Sequence, residues 1–461
     1  MRLLRVLTVG GSDSSAGAGI QADLKTFTAL GVSPAVAITA VTAQNAFGVE
    51  AIYEVPASVV EAQLRAVLAE GEVAFAKTGM LFSAEIVKVV ADFFSSHGIK
   101  FVLDPVLRAG SGVSLLKQDA FKALVERLLP LSAVVTPNVS EAEAISGVKI
   151  ETVEDAREAA LRDCCEKGAK AVVVKGGHLR SEIASGRSTD ILYIAEKDEF
   201  AVFEGDFLPL KRAHGAGCTF SAALAVALAK GLALKEAVAF AKKFVRDALK
   251  FGVSVTDTAG EGRSVSVVNP AGAVRKNAER FYVLENLKEA LRRLKAMKDF
   301  RKLIPEVGAN LGMATEDAES EADVAAVDGR ITRTKHGFRV GRIEFGASSH
   351  VARAILTMMR FNRAVRSAIN IKYSPEIVEI CERLFSVASF EREREPNASE
   401  EGKTMEWGIS SAIQNALKER GSIPDVIFDC GAVGKEPMLR IFGRDAVEVV
   451  EKVSRILNEL R

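Results

Sequence analysis

The sequence contains 461 residues, 48% of them apolar, which is enough chain for about two or three domains that each bury a core. Its 61 lysines and arginines almost balance its 60 aspartates and glutamates, so no net positive field exists to attract nucleic acid or anionic lipid. The five histidines and five cysteines lack the spacings typical of zinc sites, and the apolar N-terminal run is shorter than a secretion signal. We therefore expect a cytoplasmic homo-oligomer that acts on small molecules and binds neither nucleic acid nor membranes.

Short apolar runs alternate with helical patterns in the first half of the chain, which predicts a mostly parallel sheet covered by helices. The predicted strands cover residues 3–9, 35–40, 100–103, 133–136 and 171–174. Asp104, Asn138 and Lys175 stand at or just beyond the ends of three of these strands. Because ligands bind at the carboxyl ends of strands in open α/β sheets, we expect a site there.

A change of composition marks a domain boundary near residue 270. Gly, Ser, Thr and Asp are frequent over residues 256–270, and a strongly charged helical pattern follows over residues 271–303. Beyond it an α/β alternation restarts. The predicted strands cover residues 368–373, 386–390 and 426–429, and the predicted helices cover residues 350–361, 375–384 and 405–420. The acidic segment 316–328 is predicted to be a solvated loop. The basic residues from Arg330 to Arg342 are typical of a solvated hairpin.

A glycine turn precedes the most apolar helix of the chain. The sequence has no Walker A loop, so a phosphate group would be held by another device. In His214-Gly215-Ala216-Gly217-Cys218-Thr219 the glycines let the backbone approach a ligand, and the helix that follows points its free amides at the turn. The pattern indicates an anion hole, although a glycine-rich helix start with a small buried cysteine explains the turn alone equally well. At a helix N-terminus the pKa of Cys218 is expected to be lowered, which would suit the thiol to accept a proton.

Three further segments carry polar groups that have both a functional and a structural interpretation. Asn138 and Glu141 either bind hydrated magnesium or cap a helix. Lys175 either places a cation near phosphates or is solvated. The glycine-rich segment 10–19, which follows the first strand, is either part of a site or a flexible turn.

Together these segments resemble the hydroxymethylpyrimidine kinase/phosphomethylpyrimidine kinase family of thiamine biosynthesis, within the ribokinase superfamily. The resemblance covers residues 3 to 270 and implies a ribokinase-like α/β fold. Besides the glycine turn, it rests on Gly10-Gly11-Ser12-Asp13, on residues 17–26, on Thr42-Ala43-Gln44-Asn45, on Lys77-Thr78-Gly79-Met80-Leu81, on Asp104-Pro105-Val106, on Thr136-Pro137-Asn138 with Glu141, and on Lys175-Gly176-Gly177-His178.

The resemblance implies a role for individual residues. The residues expected to line the pyrimidine pocket are Asp23, Gln44, Met80 and Val106. Those expected to bind ATP are Lys175, Asn138 and Thr219, and those expected to bind Mg²⁺ are Asp104 and Glu141. Gly215, Gly217 and Cys218 would form the catalytic anion hole. Most superfamily members carry aspartate at the position of Cys218, and cysteine marks the pyrimidine kinase branch, which phosphorylates the alcohol and then its monophosphate.

The second half contains a candidate anion site of its own. His350 lies near the start of a predicted helix, where the helix end would lower the pKa of the imidazole and keep it neutral, although a structural cap is the commoner use of such a residue. This segment resembles the ThiN-type thiamine-phosphate synthase domain over residues 285 to 461. The residues that carry the resemblance are Gly329-Arg330-Ile331, residues 345–353, Lys372-Tyr373-Ser374, Phe390-Glu391-Arg392, Glu395-Pro396 and residues 426–431.

By this second resemblance, Arg330 and His350 are the catalytic residues, because an arginine and a neutral histidine can stabilise a departing diphosphate. Asp429 is expected to contact magnesium or substrate, or to be a structural cap. We predict a kinase domain over residues 1–270, a linker helix over residues 271–284 and a synthase domain over residues 285–461.

The predicted function is that of a bifunctional enzyme. It would use ATP and Mg²⁺ to make hydroxymethylpyrimidine diphosphate and would condense this product with thiazole phosphate to thiamine phosphate. Two alternatives are a pyrimidine kinase whose C-terminal domain only senses a ligand, and a pyridoxal kinase. The presence of Arg330 and His350, and the lack of a recognisable helix-turn-helix, favour the bifunctional enzyme.

Overall fold

The computed structural model describes residues 3–110, 112–176, 186–208, 212–257, 263–297, 299–392, 404–432 and 434–460. The chain forms two compact units, Met1–Arg275 and Lys276–Arg461. Parts of two sequence motifs, Gly177-His178 and Glu395-Pro396, lie outside the described residues.

A nine-stranded sheet forms the centre of the first unit. Its strands are β1 (Arg5–Asp13), β2 (Ser33–Asn45), β3 (Gly48–Glu54), β4 (Phe75–Thr78), β5 (Phe101–Leu103), β6 (Val134–Val135), β7 (Ala171–Val174), β8 (Arg187–Ile194) and β9 (Glu199–Asp206). They lie in the order β3-β2-β1-β4-β5-β6-β7-β8-β9. All pairings from β2 to β7 are parallel, whereas β3, β8 and β9 pair antiparallel with their neighbours. The prediction of a mostly parallel sheet is confirmed, and all five predicted strands are present.

Helices cover both faces of this sheet. They are α1 (Gly19–Ala29), α2 (Ala57–Ala69), α3 (Ala84–Ser96), α4 (Gln118–Ala123), α5 (Val139–Ser146), α6 (Val153–Cys165), α7 (Ala216–Ala229) and α8 (Leu234–Lys250). Successive side chains of a strand point to opposite faces. Accordingly Val6 of β1 packs in one cluster with Phe220 of α7, and Leu7 packs in another with Phe94 of α3. Burial on both faces explains why these strands are continuously apolar.

The most apolar helix, α7, is buried along most of its length and packs against α1, α8 and the sheet. Its core positions are largely alanine, which lets these elements approach closely. A small sheet of β10 (Ala213–His214), β11 (Val253–Thr256) and β12 (Ser264–Val267) flanks its N-terminus. No helix in the described ranges has both the length and the apolar character needed to cross a membrane.

The second unit is a smaller α/β domain, as predicted. Its main sheet contains β13 (Leu311–Ala314), β14 (Val324–Val327), β17 (Ile343–Phe345), β18 (Ser367–Lys372), β19 (Val387–Ser389), β20 (Val426–Asp429) and β21 (Met438–Gly443). The order is β17-β14-β13-β18-β21-β20-β19, and only β19 and β20 pair in parallel. The remaining helices are α9 (Pro270–Ala296), α10 (Ser349–Phe361), α11 (Pro375–Leu384), α12 (Thr404–Arg420) and α13 (Ala446–Glu459).

The prediction of a solvated loop over residues 316–328 is wrong in its last part. Val324 to Val327 form the fully buried strand β14 in the interior of the sheet. A four-residue strand that is buried on both faces lacks the alternation of apolar and polar residues that identifies a strand in a sequence. Because acidic residues flank this short apolar run, the sequence pattern indicated a loop. The prediction of a hairpin in the basic segment is confirmed, because β15 (Ile331–Thr334) pairs antiparallel with β16 (Gly337–Val340).

One long helix occupies the predicted linker. α9 continues unbroken from Pro270 to Ala296, and its residues Val283 and Leu287 are fully buried in the core of the second unit. The assignment of residues 271–284 as a linker, and the domain limits on either side of it, stay predictions.

Candidate active sites

A cavity of about 920 Å³ lies at the carboxyl ends of the parallel strands of the first unit. Residues that directly follow β4, β5 and β7 line it, namely Gly79, Asp104 and Lys175. The structure brings most of the predicted kinase residues to this cavity: Asp23, Gln44, Met80, Asp104, Val106, Asn138, Glu141, Lys175, Gly215, Gly217 and Cys218. Thr219 does not line the cavity. It is fully buried in α7, and its hydroxyl has no hydrogen-bond partner among the described residues.

The glycine turn requires glycine at position 215, and at position 217 it approaches a lysine closely. Gly215 has a φ of +87°, and a Cβ there would lie 1.9 Å from the carbonyl oxygen of Gly17, so no side chain fits. Gly215 caps α7, whose first three amides point out of the helix end without intrahelical partners. A Cβ on Gly217 would lie only 3.3 Å from Nζ of Lys175. The helix N-terminus and a lysine ammonium therefore face the same place, which is an arrangement that binds anions.

His214 holds the turn in place, and sequence reasoning had not assigned it a role. Its Nε2 lies 2.8 Å from Oδ2 of Asp13, at the end of β1. Asp13 also accepts hydrogen bonds from the amides of Ser15 (2.9 Å) and Ala18 (2.8 Å). Although burial opposes it, the hydrogen bonds from His214 and Ser15 hold the pKa of Asp13 below its usual value. Two features of the sequence could have indicated this pair. His214 directly precedes the first glycine of the turn, and Asp13 is the carboxylate of the Gly-Gly-Ser-Asp segment.

A buried ion pair forms the floor of the cavity. Lys77 and Asp23 are each 1% exposed, and Nζ lies 2.9 Å from Oδ2, which also accepts from the hydroxyl of Thr8 at 2.6 Å. Oδ1 of Asp23 has no partner among the described residues. Burial raises the pKa of Asp23. The pKa of Lys77 is also raised: burial lowers it, but the charge and hydrogen bond of Asp23, together with Cys218 and Asp104, outweigh burial, so the amine stays charged. Sequence reasoning quoted Lys77 in a motif but assigned it no role, and the signal was a lysine within the short buried strand β4.

A second ion pair lies beside the glycine turn. Nζ of Lys175 lies 3.0 Å from Oδ1 of Asp104, whose Oδ2 accepts from Ser221 at 3.1 Å. Burial favours the neutral amine, but the carboxylates of Asp104 and Glu141 outweigh it and raise the pKa of Lys175. Lys175 is therefore a fixed positive charge next to Gly217.

Asn138 and Glu141 form a helix cap and also line the cavity. The amide of Glu141 donates to Asn138 Oδ1 at 3.0 Å, and the amide of Asn138 donates to Glu141 Oε2 at 2.8 Å. This reciprocal pair is the capping box of α5, so the structural interpretation of both residues holds. Burial first, and then repulsion from Asp104, raises the pKa of Glu141 to about 7.

The expectation that the pKa of Cys218 is lowered is wrong. Burial raises the pKa of the thiol to about 11. Lys77 favours the thiolate, but the carboxylates of Asp23 and Asp104 oppose it, and burial is the largest effect. The position of Cys218 at a helix N-terminus therefore does not offset the rise in its pKa that burial causes.

An apolar patch adjoins these charges. Met80 packs with Ala40 and Leu115, and Val106 packs against this cluster. Gln44 stands beside it, where its side-chain oxygen accepts from the hydroxyl of Thr42 at 3.2 Å. The cavity thus combines an apolar wall, a carboxamide and an anion hole.

In the second unit, Arg330 and His350 lie near one another. Arg330 has a φ of +66°, which is unusual for a residue with a side chain, and it donates to the carbonyl oxygen of Val307 at 2.6 Å. His350 is in the first turn of α10. Partial burial, followed by the nearby charges of Arg330 and Arg353, lowers the pKa of His350, which confirms the predicted direction. The arginines were not part of that prediction.

Asp429 lies between two arginines. It is fully buried, and its oxygens accept from Arg392 Nε at 2.6 Å and from Arg440 Nη1 at 2.8 Å. In the part of the chain that the structure describes, no group of three His, Cys, Asp or Glu side chains is arranged to hold a metal ion. The assignment of Asp429 to magnesium stays a prediction that this environment does not support, because both oxygens already bind guanidinium groups.

Two family models match the two units. The phosphomethylpyrimidine kinase model matches residues 13–263, and the thiamine-phosphate synthase ThiN model matches residues 286–455. The chain is 34% identical to the bifunctional thiamine biosynthesis protein ThiDN of Methanocaldococcus jannaschii over 465 residues, which cover 98% of each protein. It is 45% identical over 254 residues to the hydroxymethylpyrimidine/phosphomethylpyrimidine kinase of Haemophilus influenzae, covering 54% of this chain and 93% of that one.

Among solved structures, the pyridoxal kinase of Staphylococcus aureus in complex with AMP-PCP and pyridoxal is similar to the first unit. It is 37% identical, with a TM-score of 0.52, over 59% of this chain and 95% of its own. This match accounts for the fold of the first unit but leaves the second unit without a counterpart, whereas the ThiDN relative matches both. The chain therefore belongs to the family of bifunctional thiamine biosynthesis proteins, which join a phosphomethylpyrimidine kinase domain to a thiamine-phosphate synthase domain.

Proposed function

We propose that the first unit transfers the γ-phosphoryl group of ATP to hydroxymethylpyrimidine and then to its monophosphate. The second unit condenses the resulting diphosphate with thiazole phosphate. The observation that carries the kinase assignment is the position of Lys175 beside Gly217 at the open end of α7. AMP-PCP, an analogue of ATP, is bound by the related pyridoxal kinase, which supports ATP as the donor here.

Phosphoryl transfer depends mainly on stabilising the charge of the migrating group. The amides that begin α7 supply partial positive charge at this end of the cavity, and Lys175 supplies a full one. Asp104 keeps the ammonium of Lys175 oriented, since the two groups are 3.0 Å apart. These groups are fixed before a substrate arrives, so they need no rearrangement during the reaction.

Magnesium fits the two carboxyl groups that line the same end of the cavity. Burial first, and then repulsion from Asp104, raises the pKa of Glu141, and a divalent cation would offset both effects by favouring the carboxylate. Magnesium in phosphotransferases is commonly held by one or two carboxylates together with the phosphates of the nucleotide. When bound, it would neutralise charge on those phosphates. Asp104 and Glu141 are the residues that would hold it.

The two acceptors differ in their need for a base. An alcohol must lose a proton when it attacks phosphorus, whereas a phosphate monoester is already ionised at neutral pH. Cys218 lines the cavity at the glycine turn and can accept this proton, whereas Nε2 of the neighbouring His214 is bound to Asp13. With a pKa of about 11 the thiol is almost entirely protonated at pH 7, so its thiolate fraction increases about tenfold with each pH unit up to that value.

The pocket suits an aminopyrimidine. The ring can pack on Met80 and Val106, and the carboxamide of Gln44 can both donate to and accept from its amino-substituted edge. Asp23 adds a carboxylate oxygen that has no partner within the described residues.

In the second unit, Arg330 and His350 would act on the departing diphosphate. A neutral imidazole can donate a hydrogen bond to an anion, and the lowered pKa keeps His350 neutral at pH 7. The guanidinium of Arg330 adds positive charge at the same place.

Gly215→Ala should lower both phosphorylation rates by about 100-fold or more, because the new Cβ would collide with Gly17 and move the anion hole. The matched control is Gly231→Ala. Gly231 has a similar φ of +84°, but a Cβ there meets no atom within 4 Å, so this variant tests backbone strain alone. The measurement is the steady-state rate with each acceptor. Equal losses in the two variants would contradict the role of the turn.

Cys218→Ala should depress phosphorylation of the alcohol by about 100-fold and that of the monophosphate by less than about threefold, because only the alcohol needs a base. In the unsubstituted protein the alcohol step should become about ten times faster per unit between pH 7 and 9, and Cys218→Ala should abolish this dependence. Separate single-turnover assays measure each step. A similar loss in both steps would show that the thiol is not the base.

His350→Ala should lower the formation of thiamine phosphate by about 100-fold when pyrimidine diphosphate and thiazole phosphate are supplied, while the kinase rates stay unchanged. His336→Ala, in the exposed turn between β15 and β16, is the control and should leave both activities intact. Mass spectrometry of the product provides the measurement. Full synthase activity in His350→Ala would rule out the proposed role.

A further inference from the structure

The group formed by Arg392, Asp429 and Arg440, called here the arginine clamp, has more positive than negative charge. Asp429 is 0% exposed, Arg440 4% and Arg392 11%. One buried carboxylate thus faces two guanidinium groups, which leaves a net positive charge out of contact with bulk water. Such a surplus is costly unless an anion balances it.

The clamp also has unused hydrogen-bond donors. Nη2 of Arg440 is buried and has no partner in the described part of the chain. Arg392 uses Nε and Nη2 on Asp429, at 2.6 and 3.1 Å, and its Nη1 makes no hydrogen bond within the same residues. Arg392 is the more exposed of the two arginines, so it is the one that a ligand can reach more readily.

The sheet places the clamp beside the residues assigned to the synthase reaction. β19 and β20 are parallel, so Arg392 and Asp429 emerge at the same edge, and Arg440 enters from the start of the adjacent strand β21. Both arginines of the clamp, like Arg330, are close enough to His350 to lower its pKa.

We propose that Arg392 binds the phosphoryl oxygens of a phosphorylated substrate of the second unit, and that Asp429 is a positioning residue that fixes the plane of its guanidinium. Asp429 alone would neutralise the positive charge of Arg392, and Arg440 supplies a second positive charge, so the group stays positive. This inference rests on the proposed synthase function. The shared ligand chemistry is a phosphoryl group, which either the pyrimidine diphosphate or the thiazole phosphate can supply.

The only tryptophan of the chain reports on this place. The ring of Trp407 lies 6.5 Å from that of Phe390, and the guanidinium of Arg440 lies 5.7 Å from the same Phe390 ring. Titration of the full chain with inorganic diphosphate, and separately with inorganic phosphate, can therefore be followed by tryptophan fluorescence. Trp407 belongs to the second unit, so the signal comes from the unit that contains the arginine clamp.

Arg392→Gln should weaken diphosphate binding by at least about tenfold, because it removes a charged donor from the site. The matched control is Arg444→Gln, since Arg444 pairs with Glu448 and its side chain is 77% exposed. It should bind as the unsubstituted protein does. Kinase rates and thermal unfolding, measured on every variant, verify that each chain is folded. Unchanged affinity in Arg392→Gln, or an equal loss in Arg444→Gln, would overturn the proposal.

A double-mutant cycle tests the positioning role of Asp429. Asp429→Asn should weaken binding in the unsubstituted chain but should have little further effect in Arg392→Gln, because it acts through that arginine. Additive losses would refute the positioning role.

If Asp429→Asn fails to fold, the variant Arg392→Lys is used instead. Lysine keeps the positive charge but lacks the planar guanidinium. The Arg392→Lys variant should therefore bind diphosphate more weakly than the unsubstituted chain and more tightly than Arg392→Gln. If Arg392→Lys binds diphosphate as tightly as the unsubstituted chain, binding does not need a guanidinium held in a fixed plane.

Synthase assays of Arg392→Gln identify the source of the phosphoryl group. The KM for one of the two substrates should increase at least about tenfold, and that substrate is the one bound. If the unsubstituted chain makes no thiamine phosphate but still binds diphosphate through Arg392, the proposed synthase function fails and the anion site stands. Unchanged KM for both substrates would mean that Arg392 does not bind either of them during the reaction.

Discussion

The hydrogen bond between His214 and Asp13 connects two parts of the first unit that are 201 residues apart in sequence. It joins the end of β1 to the start of the glycine turn, where the carbonyl of Gly17 leaves no room for a Cβ on Gly215. Displacing either segment would open the anion hole. The left-handed conformation of Gly215 fits this close approach, and α7 begins beside Lys175 directly after it.

Around this contact the protein keeps several charges away from water. Lys77 of β4 pairs with Asp23 of α1, and Lys175 after β7 pairs with Asp104 after β5. Such buried pairs seldom add stability, because desolvation offsets their attraction. Their location at the cavity gives them a different use. Lys175 supplies charge to the anion hole, whereas Lys77, Asp23 and Asp104 modify the pKa of Cys218, which burial raises most. The second unit repeats the arrangement with arginines around Asp429.

The local features of the fold were accessible from the sequence, because apolar runs and helix starts are local signals. β7 was predicted at its exact limits, and most of the predicted kinase residues meet at one cavity. Features that depend on distant contacts were not accessible. The burial of β14 requires its neighbours β13 and β17, and the pKa of Cys218 reflects first its burial and then charges on distant elements, such as Asp23 in α1 and Asp104 after β5. Likewise, nothing near Asp429 in sequence indicated that its partners would be Arg392 and Arg440.

One chain thus carries the machinery for consecutive steps, an anion hole with a thiol in one unit and a cluster of arginines with a neutral histidine in the other. The most direct test supplies the purified protein with hydroxymethylpyrimidine, ATP, magnesium and thiazole phosphate and analyses the products by mass. The account predicts that thiamine phosphate accumulates and that the pyrimidine diphosphate appears only transiently. Accumulation of the diphosphate without thiamine phosphate would contradict the account and would indicate that the second unit only senses its ligands.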